Sequence, residues 1–101
     1  MARAVLAPQA RRDLLEAARW IAKENRTAAA GLRQALIDAA IRIGEHARIG
    51  TVRAELADDP IRFLPMTGFL YVIVYDSSAK PPLILRVLHG ARDIPEILRD
   101  L

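Results

Sequence analysis

The sequence predicts a single two-layer α+β domain, in which an antiparallel hairpin of two helices packs on one face of a mainly antiparallel sheet. Three observations indicate this architecture. The length of 101 residues fits one domain, residues 1–101. Apolar residues make up 52% of the chain and charged residues 27%, which is typical of a folded globular protein. Near Gly50 the pattern changes from alanine-rich helical periods to short runs typical of β-strands.

The first half of the chain predicts a short strand and two helices. Residues 3–6 form the strand, and Pro8 stops it and suits the first turn of a helix, where its missing N–H costs nothing. This helix should end by Asn25, and Thr27 can cap the second helix, which stops by Gly50. Because so short a link joins the two helices, they form an antiparallel hairpin.

The second half predicts three strands: Ile61–Met66, Phe69–Tyr75 and Leu83–His89. The last two are central in the sheet, since both carry apolar side chains on both faces. A short further pairing is predicted around Arg53–Leu56. Side chains alternate between the two faces of the sheet along the last strand. One face should carry Leu83, Leu85, Val87 and His89, and the other face Ile84, Arg86 and Leu88. The predicted element order is β-α-α-β-β-β.

A short helical tail is predicted after the last strand. Gly90 breaks that strand, and Asp93 can cap a helix from Ile94 to Leu101. Its apolar residues recur at helical spacing and form one face: Ile94, Ile97, Leu98 and Leu101. This face can dock on the domain or on a partner.

Composition argues against several kinds of site. The chain has no cysteine, which removes disulfides, thiol nucleophiles and zinc–thiolate sites. His46 and His89 are too few and too separated to indicate a metal site, so we expect no metal and no cofactor. No apolar run reaches the roughly 20 residues of a membrane helix, and charged residues at Arg11, Arg12 and Asp13 argue against a signal peptide. The expected location is the cytoplasm.

The charge of the chain is mildly basic and carried mostly by arginine. The net charge is +3 and the isoelectric point about 10.0, which is mild for a nucleic-acid binder and compatible with an acidic protein partner. Thirteen of the fifteen basic residues are arginine, the side chain that forks onto carboxylates and phosphates.

Four segments carry a family resemblance: Leu6–Leu14, Ile49–Leu56, Tyr71–Tyr75 and Leu85–Asp93. In this order they resemble the RelE/ParE toxin superfamily, and the chain is most similar to its ParE-like branch. The most specific segment is the last, Leu-Arg-Val-Leu-His-Gly-Ala-Arg-Asp. One departure is Ala7, where such proteins usually have a capping serine. The fold of the superfamily is the one that the periodicity predicts independently.

The resemblance implies the toxin of a bacterial type II toxin–antitoxin pair. ParE-like members inhibit DNA gyrase and carry no known nuclease chemistry, whereas RelE-like members cleave messenger RNA in the ribosome. The implied partner is a ParD-like antitoxin, a ribbon-helix-helix protein whose acidic C-terminal segment folds over the toxin. The two form a hetero-oligomer that binds operator DNA through the antitoxin. A third possibility is a protein that keeps the fold but acts only as an antitoxin-bound corepressor.

Most of the ribonuclease constellation of RelE-like proteins is missing from this sequence. Val72 stands where such a protein would have an arginine, and Leu98 where it would have a tyrosine, although Arg92 matches. If the chain were a ribonuclease, the remaining catalytic candidates would be His89, Arg92 and Arg86, since RNA cleavage needs an acid, a base and cations around the phosphorane. We therefore expect no enzymatic activity.

A partner surface is predicted on the sheet face that two helices cannot cover. This face carries Leu64, Leu70 or their alternates and is rimmed by Arg62, Arg86 and Arg92. Such an exposed apolar face suits an amphipathic, acidic helix or an added strand from a partner. The predicted partner-binding residues are Arg53, Arg62, Leu64, Arg86, His89, Arg92, Ile97 and Leu98.

Each of these residues also has a structural interpretation. His89 can orient the turn at Gly90, and Arg86 can pair with a carboxylate, for which Glu55 is a candidate. Arg53 and Arg62 can form a solvated sheet edge that discourages aggregation.

Overall fold

The structure is a computed structural model, and it describes residues 3–91, 93 and 94. Its elements follow the predicted order: β1 (Val5–Leu6), α1 (Pro8–Ala22), α2 (Arg26–Glu45), β2 (Ile61–Pro65), β3 (Tyr71–Asp76) and β4 (Leu83–His89). The predicted α+β architecture is therefore confirmed. Within the described part of the chain, no helix is long and apolar enough to cross a bilayer.

The sheet is mixed, with strand order β1-β4-β3-β2. The pairs β2–β3 and β3–β4 are antiparallel, as predicted for a mainly antiparallel sheet. In contrast, β1 lies parallel to β4, with Val5 opposite Leu83 and Leu6 opposite Ile84. Parallel neighbours need a long crossover connection, and here α1, α2 and the other two strands provide it.

Helix boundaries follow the expected signals, except at the second cap. Pro8 lies in the first turn of α1, and Ala7 before it makes no side-chain cap. The cap of α2 is Asn25 and not Thr27, because the Asn25 side chain accepts a hydrogen bond of 3.0 Å from the backbone N–H of Ala28. Asn25 has extended backbone angles and can reach this N–H, whereas Thr27 already lies within the first helical turn.

The main core lies between the helices and the sheet. Its largest fully buried members include Leu32 and Ile43 from α2, and Ile73, Tyr75 and Ile84 from the sheet. α1 contributes small residues to this core, among them Ala10 and Ala17, both of which are buried. The helices therefore cover one face of the sheet, as predicted.

A second, smaller cluster covers the opposite face of the sheet. Phe63, Val74 and Leu88 form it together with Ile94, and the loop residues Leu56 and Ala57 pack against it. The prediction that this face lies uncovered around Leu64 is wrong. Leu64 is only 9% exposed and belongs to the main core under the helices, because side chains alternate along β2 and Phe63 takes the other face.

A register shift in the β3–β4 pair alters the predicted alternation on β4. Val74 lies opposite Arg86 and the next residue, Tyr75, lies opposite Ile84, so Leu85 is an extra residue on β4. As a result Ile84 and Val87, three residues apart, both pack in the main core.

The loop after α2 is fixed to the sheet by one tyrosine. The Tyr75 hydroxyl donates a hydrogen bond of 2.7 Å to the carbonyl of Ala47 and accepts one of 2.8 Å from the N–H of Gly50. A Cβ atom on residue 50 would lie 2.7 Å from the Tyr75 ring, so only glycine fits this approach. Burial raises the pKa of the Tyr75 phenol, which therefore stays protonated and keeps its donor.

The same loop continues along the outer edge of β2. Thr51 pairs with Phe63 through two backbone hydrogen bonds of 2.9 Å. The pairing predicted around Arg53–Leu56 is a tight turn, closed by an isolated bridge between Arg53 and Ala57.

Replacing Tyr75 with phenylalanine should lower the free energy of unfolding by about 1–3 kcal/mol, because the buried N–H of Gly50 loses its acceptor. Urea denaturation of the purified protein measures this change. The matched control is Tyr71→Phe, since the Tyr71 hydroxyl is buried and makes no hydrogen bond with any residue that the structure describes. Equal losses for both variants would contradict the role given to Tyr75.

Candidate functional site

One carboxylate joins the first helix to the last strand. Asp13 of α1 is only 8% exposed, and its oxygen atoms accept four hydrogen bonds. Arg86 of β4 donates two of them, from Nε to Oδ2 at 2.8 Å and from Nη2 to Oδ1 at 3.0 Å. The others come from the backbone N–H of Val87 and the side-chain amide of Gln9, each at 3.0 Å. The forked geometry makes this a strong, charge-assisted pair.

The Asp13 contact completes the edge of β4. β1 ends at Leu6, opposite Ile84, so the N–H of Val87 has no strand beside it on that side. Asp13 supplies the acceptor that a longer β1 would have supplied. The sequence contains a signal for this role, since Asp13 follows Ala10 by three residues and precedes Ala17 by four, placing an acid on the buried stripe of α1.

The expectation that Glu55 pairs with Arg86 is wrong. Glu55 forms an exposed salt bridge with Arg53 at 3.1 Å, in the loop beside β2, whereas Arg86 is on β4, two strands away. The hydrogen bonds to Asp13 raise the pKa of the Arg86 guanidinium above its already high ordinary value. Arg86 is thus a permanent cation whose charge is matched by Asp13.

His89 lies half-buried at the end of β4. Its ring packs edge-on against the ring of Tyr71, with centroids 5.4 Å apart. Its backbone N–H donates to Oδ2 of Asp93 at 2.9 Å, and the N–H of Asp93 donates back to the His89 carbonyl at 2.9 Å. This reciprocal pair closes the turn at Gly90 through the backbone groups of His89.

Arg62 is a structural residue of the loop after α2. Its side chain is only 11% exposed, and Nη1 donates to the carbonyl of Gly50 at 2.9 Å. Nε lies 3.7 Å from Oδ1 of Asp59. Arg62 therefore does not form the solvated sheet edge that was one interpretation of it, because its guanidinium group faces the loop.

Arg53 remains half-exposed at the surface. Its guanidinium carbon lies 5.6 Å from the centre of the Phe63 ring and so covers one end of the smaller cluster. This position leaves the outer side of Arg53 open to solvent.

An apolar groove is bordered by β1, α1 and α2. We call it the helix groove, a space of about 860 Å³ that includes Val5, Leu14, Leu15, Ala30 and Ile37. Leu15 is 56% exposed, although it is a large apolar residue. Three exposed arginines border the groove: Arg3, Arg11 and Arg33. Sequence reasoning missed it because each element contributes only a few residues and only their packing brings these together.

A protein-family model, described as the ParE toxin of the type II toxin–antitoxin system parDE, matches residues 4–94 of the chain. The chain belongs to the ParE toxin family. The match spans both helices and all four strands, including the Asp13–Arg86 pair and every lining residue of the helix groove except Arg3. Comparison with curated proteins found no match. As a ParE toxin, the chain is one half of a toxin–antitoxin system, and an antitoxin is therefore its natural partner.

Some predicted site residues of this ParE toxin lie outside the described part of the chain. They are Arg92, Ile97 and Leu98, together with the predicted helical tail after Ile94. Of the others, Arg86 and His89 belong to the end of the sheet beside α1, whereas Arg53 and Arg62 belong to the opposite edge. Among the described residues, no three metal-ligating side chains come together.

Replacing Asp13 with alanine should lower the free energy of unfolding by about 3 kcal/mol or more, since it leaves the Arg86 charge and the Val87 N–H without their acceptor. Asp13→Asn should cost less, because an amide oxygen can still accept one of these bonds. Thermal and urea unfolding measure both variants. Asp38→Ala, on the exposed face of α2, is the control and should change stability by no more than about 0.5 kcal/mol. A similar small change at Asp13 would show that the pair contributes little.

Proposed function

We propose that this ParE toxin arrests growth by acting on DNA gyrase, that it catalyses no reaction itself, and that a ParD-like antitoxin neutralises it. Membership of the ParE family carries this proposal. The RelE-like activity, cleavage of messenger RNA, is the alternative.

The surroundings of Arg86 support the non-enzymatic half of the proposal. Cleavage of RNA through a 2′-hydroxyl needs cations that stabilise the developing phosphorane charge. Arg86 gives two of its donors to the carboxylate of Asp13, which offsets its charge. Val72 offers no charge on β3, and the His89 ring packs edge-on against the ring of Tyr71.

The helix groove supports the antitoxin half of the proposal. Its floor is apolar and its border carries Arg3, Arg11 and Arg33, so it fits an amphipathic segment with acidic residues along its edges. β1 is also an outer strand of the sheet, and its free edge can pair with an extended segment. We therefore place the acidic segment of the antitoxin in this groove, and not on the sheet face around Leu64.

Induced expression of the toxin should stop growth with filamentation and DNA-damage signalling, while messenger RNA stays intact. Gyrase inhibition leaves DNA breaks or unrelieved supercoils but does not cut transcripts. Microscopy, a supercoiling assay with purified gyrase and primer extension on translated messages measure these outcomes. Codon-phased cuts would instead establish the RelE-like ribonuclease. Normal growth with a well-folded protein would favour the antitoxin-bound corepressor.

A Leu15→Asp variant should bind the antitoxin at least about tenfold more weakly, because it places a carboxylate on the apolar floor that receives the acidic segment. The variant should stay toxic, and co-expressed antitoxin should no longer rescue growth. Calorimetry on the purified pair measures the affinity. Leu70→Asp is the matched control, since Leu70 is also a highly exposed leucine but lies in the turn before β3, outside the groove. Equal weakening by both variants would rule out the groove as the antitoxin site.

A further inference from the structure

Three residues of β2 point their backbone groups toward the outer edge of the sheet. β2 is an end strand, and β3 lies on its other side. In an antiparallel pair, successive residues point their N–H and C=O groups alternately toward the neighbouring strand and away from it. The N–H of Met66, the residue after β2, donates across to the carbonyl of Tyr71, so Ile61, Phe63 and Pro65 are the residues that face outward.

Each of these three outward positions is closed in a different way. Phe63 exchanges two backbone hydrogen bonds of 2.9 Å with Thr51. The N–H of Ile61 donates to the carbonyl of Asp58 at 2.9 Å. Pro65 has no N–H at all. The outer edge of β2 therefore offers no backbone N–H to an added strand.

The loop that pairs with Phe63 is fixed to the domain at both of its ends. We call residues 47–57 the strap. Tyr75 and Arg62 hold its first part through hydrogen bonds to its backbone. At its other end, Leu56 and Ala57 pack against the smaller cluster. Because these anchors lie on either side of Thr51, the strap holds Thr51 against β2.

Without the strap, β2 would suit pairing with the same strand of a second copy of the chain. Two-fold antiparallel pairing centred on Phe63 would set Phe63 opposite its own equivalent and Ile61 opposite the equivalent of Pro65. Such pairing needs the N–H groups of Phe63 and Ile61, and both are already bonded within the chain. The Phe63 ring is only 2% exposed, so it would lose part of its cover if the strap moved away.

We propose that the strap closes the β2 edge and keeps the free toxin monomeric, so that an added strand can join the sheet only at β1. At β1 the backbone groups of Leu6 face outward, because the N–H groups of Val5 and Ala7 donate to carbonyls of the β4 segment, Pro82 and Ile84. This inference concerns the edge of the sheet opposite β1 and the helix groove. It depends neither on gyrase as the target nor on the antitoxin.

The test compares the mass of full-length variants at rising concentration, by size-exclusion chromatography with light scattering. The native toxin should remain at 11.2 kDa. The double variant Thr51→Pro/Pro65→Val removes the N–H that Thr51 donates to Phe63 and restores one at position 65, so its mass should double. Thr51→Val is the matched control and should stay monomeric, because it keeps the backbone pair. Pro65→Val alone should also stay monomeric, since the strap still occupies Phe63.

Amide hydrogen exchange at Phe63, followed by NMR, shows whether a dimer uses β2. In the double variant this amide should exchange fast in dilute solution and slowly at high concentration, whereas in the native toxin it should be slow throughout. A dimer whose Phe63 amide stays fast would use another surface and would overturn the proposal. A folded double variant that stays monomeric, a dimeric native toxin, or equal association of Thr51→Val would each overturn it as well.

A peptide experiment on the native toxin keeps the proposal testable if the double variant does not fold. The blocked peptide acetyl-Ile-Arg-Phe-Leu-Val-amide copies β2, with valine at the place of Pro65. Because the closed edge accepts no strand, the peptide should leave the amide signals of Ile61 and Phe63 unchanged. Saturable shifts of these two signals would show that the edge is open and would overturn the proposal.

Discussion

The bond network around Asp13 is the constraint on which the arrangement of the molecule depends. β1 is so short that β4 continues past its end, and a helical carboxylate takes the place of the missing strand at Val87. Because the same carboxylate holds Arg86, α1 is fixed both in height and in rotation against the sheet. The helix groove is lined by α1, so its shape depends on this one contact.

A second fixed point lies at the other end of the sheet, where the chain passes from helices to strands. Tyr75 and Arg62 together satisfy the polar backbone groups of the loop that follows α2, and Gly50 allows the ring to approach. This loop then runs along β2, and its turn packs on the smaller cluster. The face opposite the helices is covered by chain from the middle of the sequence, which explains how two helices suffice for a sheet with two apolar faces.

Local patterns predicted the elements and their order, because helical and strand periodicity are properties of neighbouring residues. What they could not predict depends on contacts between distant residues. Arg86 meets Asp13 across 73 positions, and sequence reasoning offered Glu55 instead. The extra residue at Leu85 shifts the alternation on β4, and no turn or glycine marks it. The placement of Leu64 failed for a similar reason, since a strand alone does not reveal which of its faces meets the helices. The helix groove could not be predicted because its lining residues come from β1, α1 and α2 and lie together only when these three elements pack.

The brevity of β1 has a consequence for recognition. Backbone pairing with a strand edge does not depend on the partner's sequence, because almost every residue offers the same N–H and C=O groups. An edge of two residues can form few such bonds, so a segment lying beside it gains most of its affinity from side chains seated in the groove and from charges at the border. A toxin built in this way can distinguish between antitoxins of the same fold, whereas a long open edge would accept any extended chain.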